Sequence, residues 1–219
     1  MEKPSFADVA IVSCGTLSPE LRHLKQTGFL DTEHLIFTTP GLHEDIEELE
    51  RQLISKIAAA ADRAPHVLVV YGGKFCYVNA DNPTRTMQTI IAEQPASVER
   101  IDATHCMDML ADESERERIA TELAGGEPVW WMTPGWIQFR YKVFKDWDKA
   151  MANENFPRHT GGAVVLDGIG FVDEYMSKHP EDFLEYSDWM GIPIQAHPIS
   201  LDRFKDLLAA GCRRLKGGA

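Results

Sequence analysis

The chain has 219 residues, with 22 lysines and arginines against 34 aspartates and glutamates, a formal net charge of −12. That length accommodates one domain, or two small ones, and a sizeable core, and 44% hydrophobic with 26% charged residues excludes wholesale disorder. The acidic balance speaks against nucleic-acid and anionic-lipid partners, which recruit Lys and Arg, and no apolar run approaches the roughly 20 residues of a membrane span.

The opening MEKPSFADVAIVSC has neither a long apolar h-region nor a small-residue cleavage site, so no secretory signal is expected and a cytoplasmic location is. In chain order, strand-like runs fall at 8–13, 34–38, 66–71, 98–103, 128–132, 163–166 and 192–196. Most are continuous rather than alternating, as strands buried on both faces require. Helical patterns lie between them at 43–64, 112–123, 172–190 and 201–215, with Pro180 interrupting the third. In the first, Ile46, Leu49, Leu53 and Ile57 form one stripe, and Glu44, Glu47, Glu48 and Glu50 load its N-terminal half, where the helix dipole favours acid. The stretch 138–157 is rich in aromatics and carries Lys142, Lys145 and Lys149; it reads as a packed helix with solvated lysines, or as a lid. The last residues, 216–219, are expected to fray. Together the pattern predicts one α/β domain over 1–219, Rossmann-like, with a mainly parallel sheet of six to seven strands flanked by helices.

In an open parallel sheet, ligands bind beyond the carboxyl ends of the strands. Three of the four cysteines, Cys14, Cys76 and Cys106, follow different strand runs, whereas Cys212 falls on the terminal helix and reads as structural. In a reducing compartment such thiols stay free, bind metal or react. Three converging thiols suit a soft metal: zinc, Cu(I) or an iron–sulfur centre. Tetrahedral zinc needs a fourth ligand, and His43, His197 or water would supply it. His105 suits this less well, because adjacent residues on an extended segment point to opposite faces.

A metal-free reading is a cysteine-dependent hydrolase or racemase. Cys76 or Cys106 would be the nucleophile or the acid–base group, assisted by His105, His43 or Asp108. Gly72-Gly73 follows a strand without the spacing of a phosphate loop, so with Gly135 it is expected to admit a small-molecule ligand close to the backbone. Trp136 would wall that ligand, and Asp167 would orient it or cap the next helix. Arg85 and Arg100 are candidate anion-binding groups.

The combination of Cys14-Gly15, Pro19-Glu20-Leu21, Leu42-His43, Tyr71-Gly72 with Cys76, Cys106, Thr133-Pro134-Gly135-Trp136 and Leu166-Asp167-Gly168 resembles the uncharacterised family numbered 1638 among domains of unknown function. The resemblance runs from about residue 9 to about residue 210. One position departs from it: the family often carries Asp directly before its third cysteine, where this chain has His105. The resemblance implies a cytoplasmic α/β protein found beside corrinoid methyltransferase systems. It thereby implies a corrinoid protein or methyltransferase as partner and a role in one-carbon metabolism. The chain has no D-x-H-x-x-G segment of the kind that gives cobalt a lower-axial histidine, so it is not expected to hold cobalamin by itself in that mode.

The leading expectation is therefore a metal site of Cys14, Cys76, Cys106 and His43, with zinc first, serving corrinoid-linked methyl transfer as a methyltransferase or as a maturation or handling factor. The alternatives are the metal-free cysteine enzyme and a non-catalytic protein that carries a corrinoid or a metal.

Overall fold

The structure is a computed structural model that describes residues 3–94 and 97–217. Its strands are β1 (Val9–Ser13), β2 (Leu35–Phe37), β3 (His66–Val70), β4 (Ser97–Arg100), β5 (Trp130–Met132), β6 (Ala163–Asp167) and β7 (Ile194–Pro198). The helices are α1 (Ser18–Gln26), α2 (Ile46–Ala61), α3 (Met87–Ala92), α4 (Cys106–Leu110), α5 (Glu113–Ala124), α6 (Pro134–Gln138), α7 (Arg140–Val143), α8 (Lys149–Asn155), α9 (Phe171–Lys178), α10 (Pro180–Met190) and α11 (Asp202–Leu215). Every strand-like run of the sequence holds a strand. Short helices α1, α3, α4 and α6–α8 are additions, too brief for their own periodicity to announce them.

The strands do not form one sheet. They form a four-stranded sheet ordered β2-β1-β3-β4 and a three-stranded sheet ordered β5-β6-β7, parallel throughout. This corrects the expectation of a single six-to-seven-strand sheet. The two sheets meet through packing rather than a strand ladder: Thr133 Oγ1, just past β5, donates to the Thr16 carbonyl at 3.0 Å. Gly135 lies so close to Thr16 that a Cβ there would overlap its backbone.

Both faces of the four-stranded sheet are covered. Ile11, Leu68 and Val70 join a core that continues into β5 and β6, whereas Ala10, Val12, Val67 and Val69 pack against α2 and α3. This two-sided burial is why the runs read as continuous. Asp45 begins α2 by accepting the Glu48 N–H at 3.1 Å, and Leu49, Leu53, Ile57 and Ala60 form its buried stripe. Pro180 starts α10 after α9 has ended at Lys178, as a ring without an N–H permits in a first turn.

In the stretch 138–157, Phe144 and Phe156 are buried among Trp147, Tyr186 and Trp189 while Lys142, Lys145 and Lys149 are exposed, so it is packed structure. Residues 218–219 lie outside the described part. Lys216, expected to fray, is held by the Ser5 carbonyl at 2.8 Å and by Asp8. Among the described residues, no helix is long and apolar enough to cross a membrane.

Candidate functional site

Because β1, β3 and β4 are neighbours, their carboxyl ends share one edge. Cys14 directly follows β1, Cys76 lies in the loop after β3, and Cys106 opens α4 after β4. All three line one cavity of about 170 Å³, together with His43, His105 and Trp136. Trp136 comes from α6 after β5, so the second sheet closes a cavity floored by the first.

Backbone contacts hold the thiol loops together. A Cβ at Gly72 would overlap the His105 backbone and the Thr104 carbonyl. The Gly73 N–H donates to the Ala103 carbonyl at 2.9 Å, and the Phe75 N–H to the Thr104 carbonyl at 3.2 Å. Gly72 and Gly73 thus seat the Cys76 loop on the Cys106 loop. Gly72 does line the cavity, but the space a side chain would take is filled by protein backbone. The same holds at Gly135, which packs on Thr16 and stands behind the cavity wall rather than in it.

The cavity is electrostatically bare. No Asp, Glu, Lys or Arg among the described residues lines it. Burial pushes the Cys76 thiol up to about 12, with neighbouring Cys14 adding to the effect. Burial also raises the Cys106 thiol, followed by Cys76 and Cys14. The Trp136 indole N–H eases Cys106 the other way, though it is buried without a completed hydrogen bond. Cys14 Sγ lies 3.1 Å from Thr16 Oγ1. A thiol raises its neighbour because ionising one would put negative charge beside the other, a consequence of the three sulfurs sharing one cavity.

His43 stands at the exposed rim, with its ring 5.7 Å from that of Trp136; desolvation of the imidazole against the cavity wall lowers its pKa, and Glu44 opposes this. His105 is half-buried, and burial followed by Arg116 lowers its pKa too. Its Nδ1 accepts the Asp108 N–H at 3.1 Å, capping α4 and leaving Nε2 as the unused nitrogen. Both imidazoles are thus biased to the neutral form in which histidine binds metal. Among the described residues, however, no three His, Cys, Asp or Glu side chains stand closed around a single point as a finished ligand set. The residue types fit a soft ion; their side chains would have to draw closer together to hold it.

Other sequence candidates are engaged elsewhere. Asp167 accepts the N–H groups of Ile169, Phe171 and Val172 at 3.0, 3.1 and 2.9 Å, which makes it the anchor of α9 and keeps it out of the cavity. Asp108 is paired with Arg203 at 2.8 Å. His197 lies on β7, at the far side of the second sheet. Arg85 is tied to Glu50 and Glu93, each at 2.5 Å, and Arg100 donates to the carbonyls of Tyr71, Ile101 and Ala103. Neither arginine is a spare anion site. Cys212 is buried on α11, with its sulfur 3.4 Å from the Ser5 carbonyl.

Three features were assigned no role from the sequence. Tyr71 lines the cavity and hydrogen-bonds Thr38; burial, then Cys14, raises its phenol. Met107 and Met109 also line it, a signal present in the run Cys106-Met107-Asp108-Met109. Glu20, in the first turn of α1, is fully buried, and among the described residues neither carboxyl oxygen has a hydrogen-bond partner. Burial, with Asp167 adding to it, raises Glu20 to about 8.

The model of a family described as "Protein of unknown function (DUF1638)" matches residues 37–208, and the chain belongs to that family. His43, Cys76, Cys106 and Trp136 fall inside the match, and Cys14 precedes it. No curated protein and no solved structure matches the chain.

Proposed function

We propose that this chain is a thiolate–metal protein whose centre is built from Cys14, Cys76 and Cys106 and completed by His43 or water. Its setting would be corrinoid-linked methyl transfer, as the family resemblance implies. The observation that carries the reading is the convergence of three thiols from three strand ends on one cavity without a charged side chain. Burial raises the Cys76 and Cys106 thiols. A metal-free thiolate nucleophile needs the opposite shift, so this environment disfavours the hydrolase or racemase reading. A bound cation supplies the positive charge that the lining lacks.

When bound, the metal supplies Lewis acidity, lowering the pKa of an acceptor thiol. The chain's own residues do the rest. Gly72 and Gly73 hold the Cys76 and Cys106 loops in register, Trp136 and Leu17 exclude water, and His43 guards the rim beside Trp136. At about 170 Å³ the cavity is smaller than the ~300 Å³ at which pockets begin to enclose drug-sized ligands. It suits an ion with a small ligand. A corrinoid would approach from outside, across the exposed ring of Phe75 at the cavity lip.

The test is elemental analysis of protein purified without oxygen or a metal-affinity tag, alongside Cys14→Ser, Cys76→Ser and Cys106→Ser. The expected result is about one metal per chain, lost in each variant. Parent protein that stays metal-free after reconstitution overturns the reading.

A further inference from the structure

Resting on that thiolate reading, we infer that the cavity selects a soft monovalent cation, copper(I), and that the Met107 thioether is one of its ligands. Five sulfur side chains line this one small cavity: Cys14, Cys76, Cys106, Met107 and Met109. Cys106 Sγ and Met107 Sδ lie 3.5 Å apart, neighbours that a single ion could bridge after a side-chain rotation. Cys106 begins α4 and Met107 follows it, so one rigid turn carries both sulfurs.

The ligand chemistry separates the candidate metals. Zinc takes thiolate, imidazole and carboxylate, whereas thioether sulfur beside thiolate is a donor set for Cu(I). Hard cations such as Mg²⁺ and Ca²⁺ want carboxylate and carbonyl oxygens, and no carboxylate among the described residues reaches the lining.

Charge points the same way. The walls are mostly apolar: Leu17, Leu42, Val70 and Trp136 surround the sulfurs, with Thr16, Tyr71 and the two imidazoles of His43 and His105 as uncharged polar members. Buried net charge is costly in such surroundings. A monovalent ion becomes neutral on displacing one thiol proton, with thioether and remaining thiols as uncharged donors. A divalent ion must displace two protons for the same neutrality. Binding of the monovalent ion thus forms one metal–thiolate bond and releases one proton to solvent, with no change of oxidation state.

The experiment is an oxygen-free titration of the full chain with Cu(I) and, separately, with Zn²⁺, each against a chromophoric chelator of that ion. It is run on the parent, Met107→Leu, Cys106→Ser and Cys212→Ser. The expected result is one Cu(I) per chain, held at least tenfold more tightly in the parent than in Met107→Leu. Cys106→Ser should lose the ion, and Cys212→Ser should behave as the parent. Met107→Leu should leave any Zn²⁺ binding unchanged. X-ray absorption of the Cu(I)-loaded parent, which needs no variant to fold, should show a coordination shell dominated by sulfur. Tight Zn²⁺ binding with indifference of Cu(I) to Met107→Leu overturns the inference and leaves the thiolate–metal reading standing. Failure of both ions to bind overturns both. A nitrogen- or oxygen-containing Cu(I) shell without sulfur from Met107 also overturns it.

Discussion

Replacing Glu20 with Gln should stabilise the protein in a way that grows with pH. The Glu20 carboxyl is fully buried, and both its oxygens lack a hydrogen-bond partner among the described residues. Burial first, and Asp167 in addition, raises its pKa from 4.5 to about 8. For an acid raised in this way, the folded state keeps its proton while the unfolded chain has already ionised. Below about pH 4.5 both states are protonated and Glu20 has no pH-dependent effect. Between about 4.5 and 8 the folded state binds more protons than the unfolded one, so stability declines as pH rises. Each unit is worth about 1.4 kcal/mol. The deficit is therefore about 3 kcal/mol near pH 7 and levels off at about 5 kcal/mol above pH 8.

The Gln amide has nearly the same shape, cannot ionise, and meets the same apolar surroundings as the protonated acid. Urea denaturation of parent and Glu20→Gln at several pH values from about 4.5 to 9 isolates the effect, because other titrating groups cancel in the difference. The two should be near equal at the acid end, with the variant ahead by the stated amounts toward the alkaline end. A difference that stays flat across the range would refute the reasoning: Glu20 would then ionise normally and must have a partner.

Two further outcomes test the framework around the cavity. Gly72→Ala drives a Cβ into the His105 backbone. It should cost about 1–3 kcal/mol by overpacking, measurable by thermal unfolding, and should weaken metal retention by separating the Cys76 and Cys106 loops. Asp167→Ala strips the acceptors from three N–H groups at the start of α9. It should cost about 1–3 kcal/mol while leaving metal content unchanged; loss of metal would instead make Asp167 part of the site.

The sequence by itself determined the seven strands, the α/β class and the placement of three cysteines at strand ends, because side-chain period and composition are local properties of the chain. The proline break between α9 and α10 was legible for the same reason: a ring without an N–H acts on its own turn. Pairing is different. A continuous apolar run states that a strand is buried but not which neighbour buries it, so the division into sheets of four and three strands was invisible. That division depends on how Thr133 and Gly135 seat against Thr16, more than a hundred residues away in sequence.

Tertiary structure also decided which candidates share a site. Cys14, Cys76 and Cys106 converge because β1, β3 and β4 are adjacent, and Trp136 joins them across the seam between sheets. Asp167, His197, Arg85 and Arg100 looked equally available as letters. In the fold, three of them are engaged by backbone groups or opposite charges, and His197 lies away from the cavity. Glu20 reverses the case: an ordinary surface residue by type, it is buried without a partner among the described residues, on a helix that begins just after Thr16, where the two sheets meet. Residue type fixes what a side chain can do, but its pKa and its partners are set by neighbours that only the folded chain brings near.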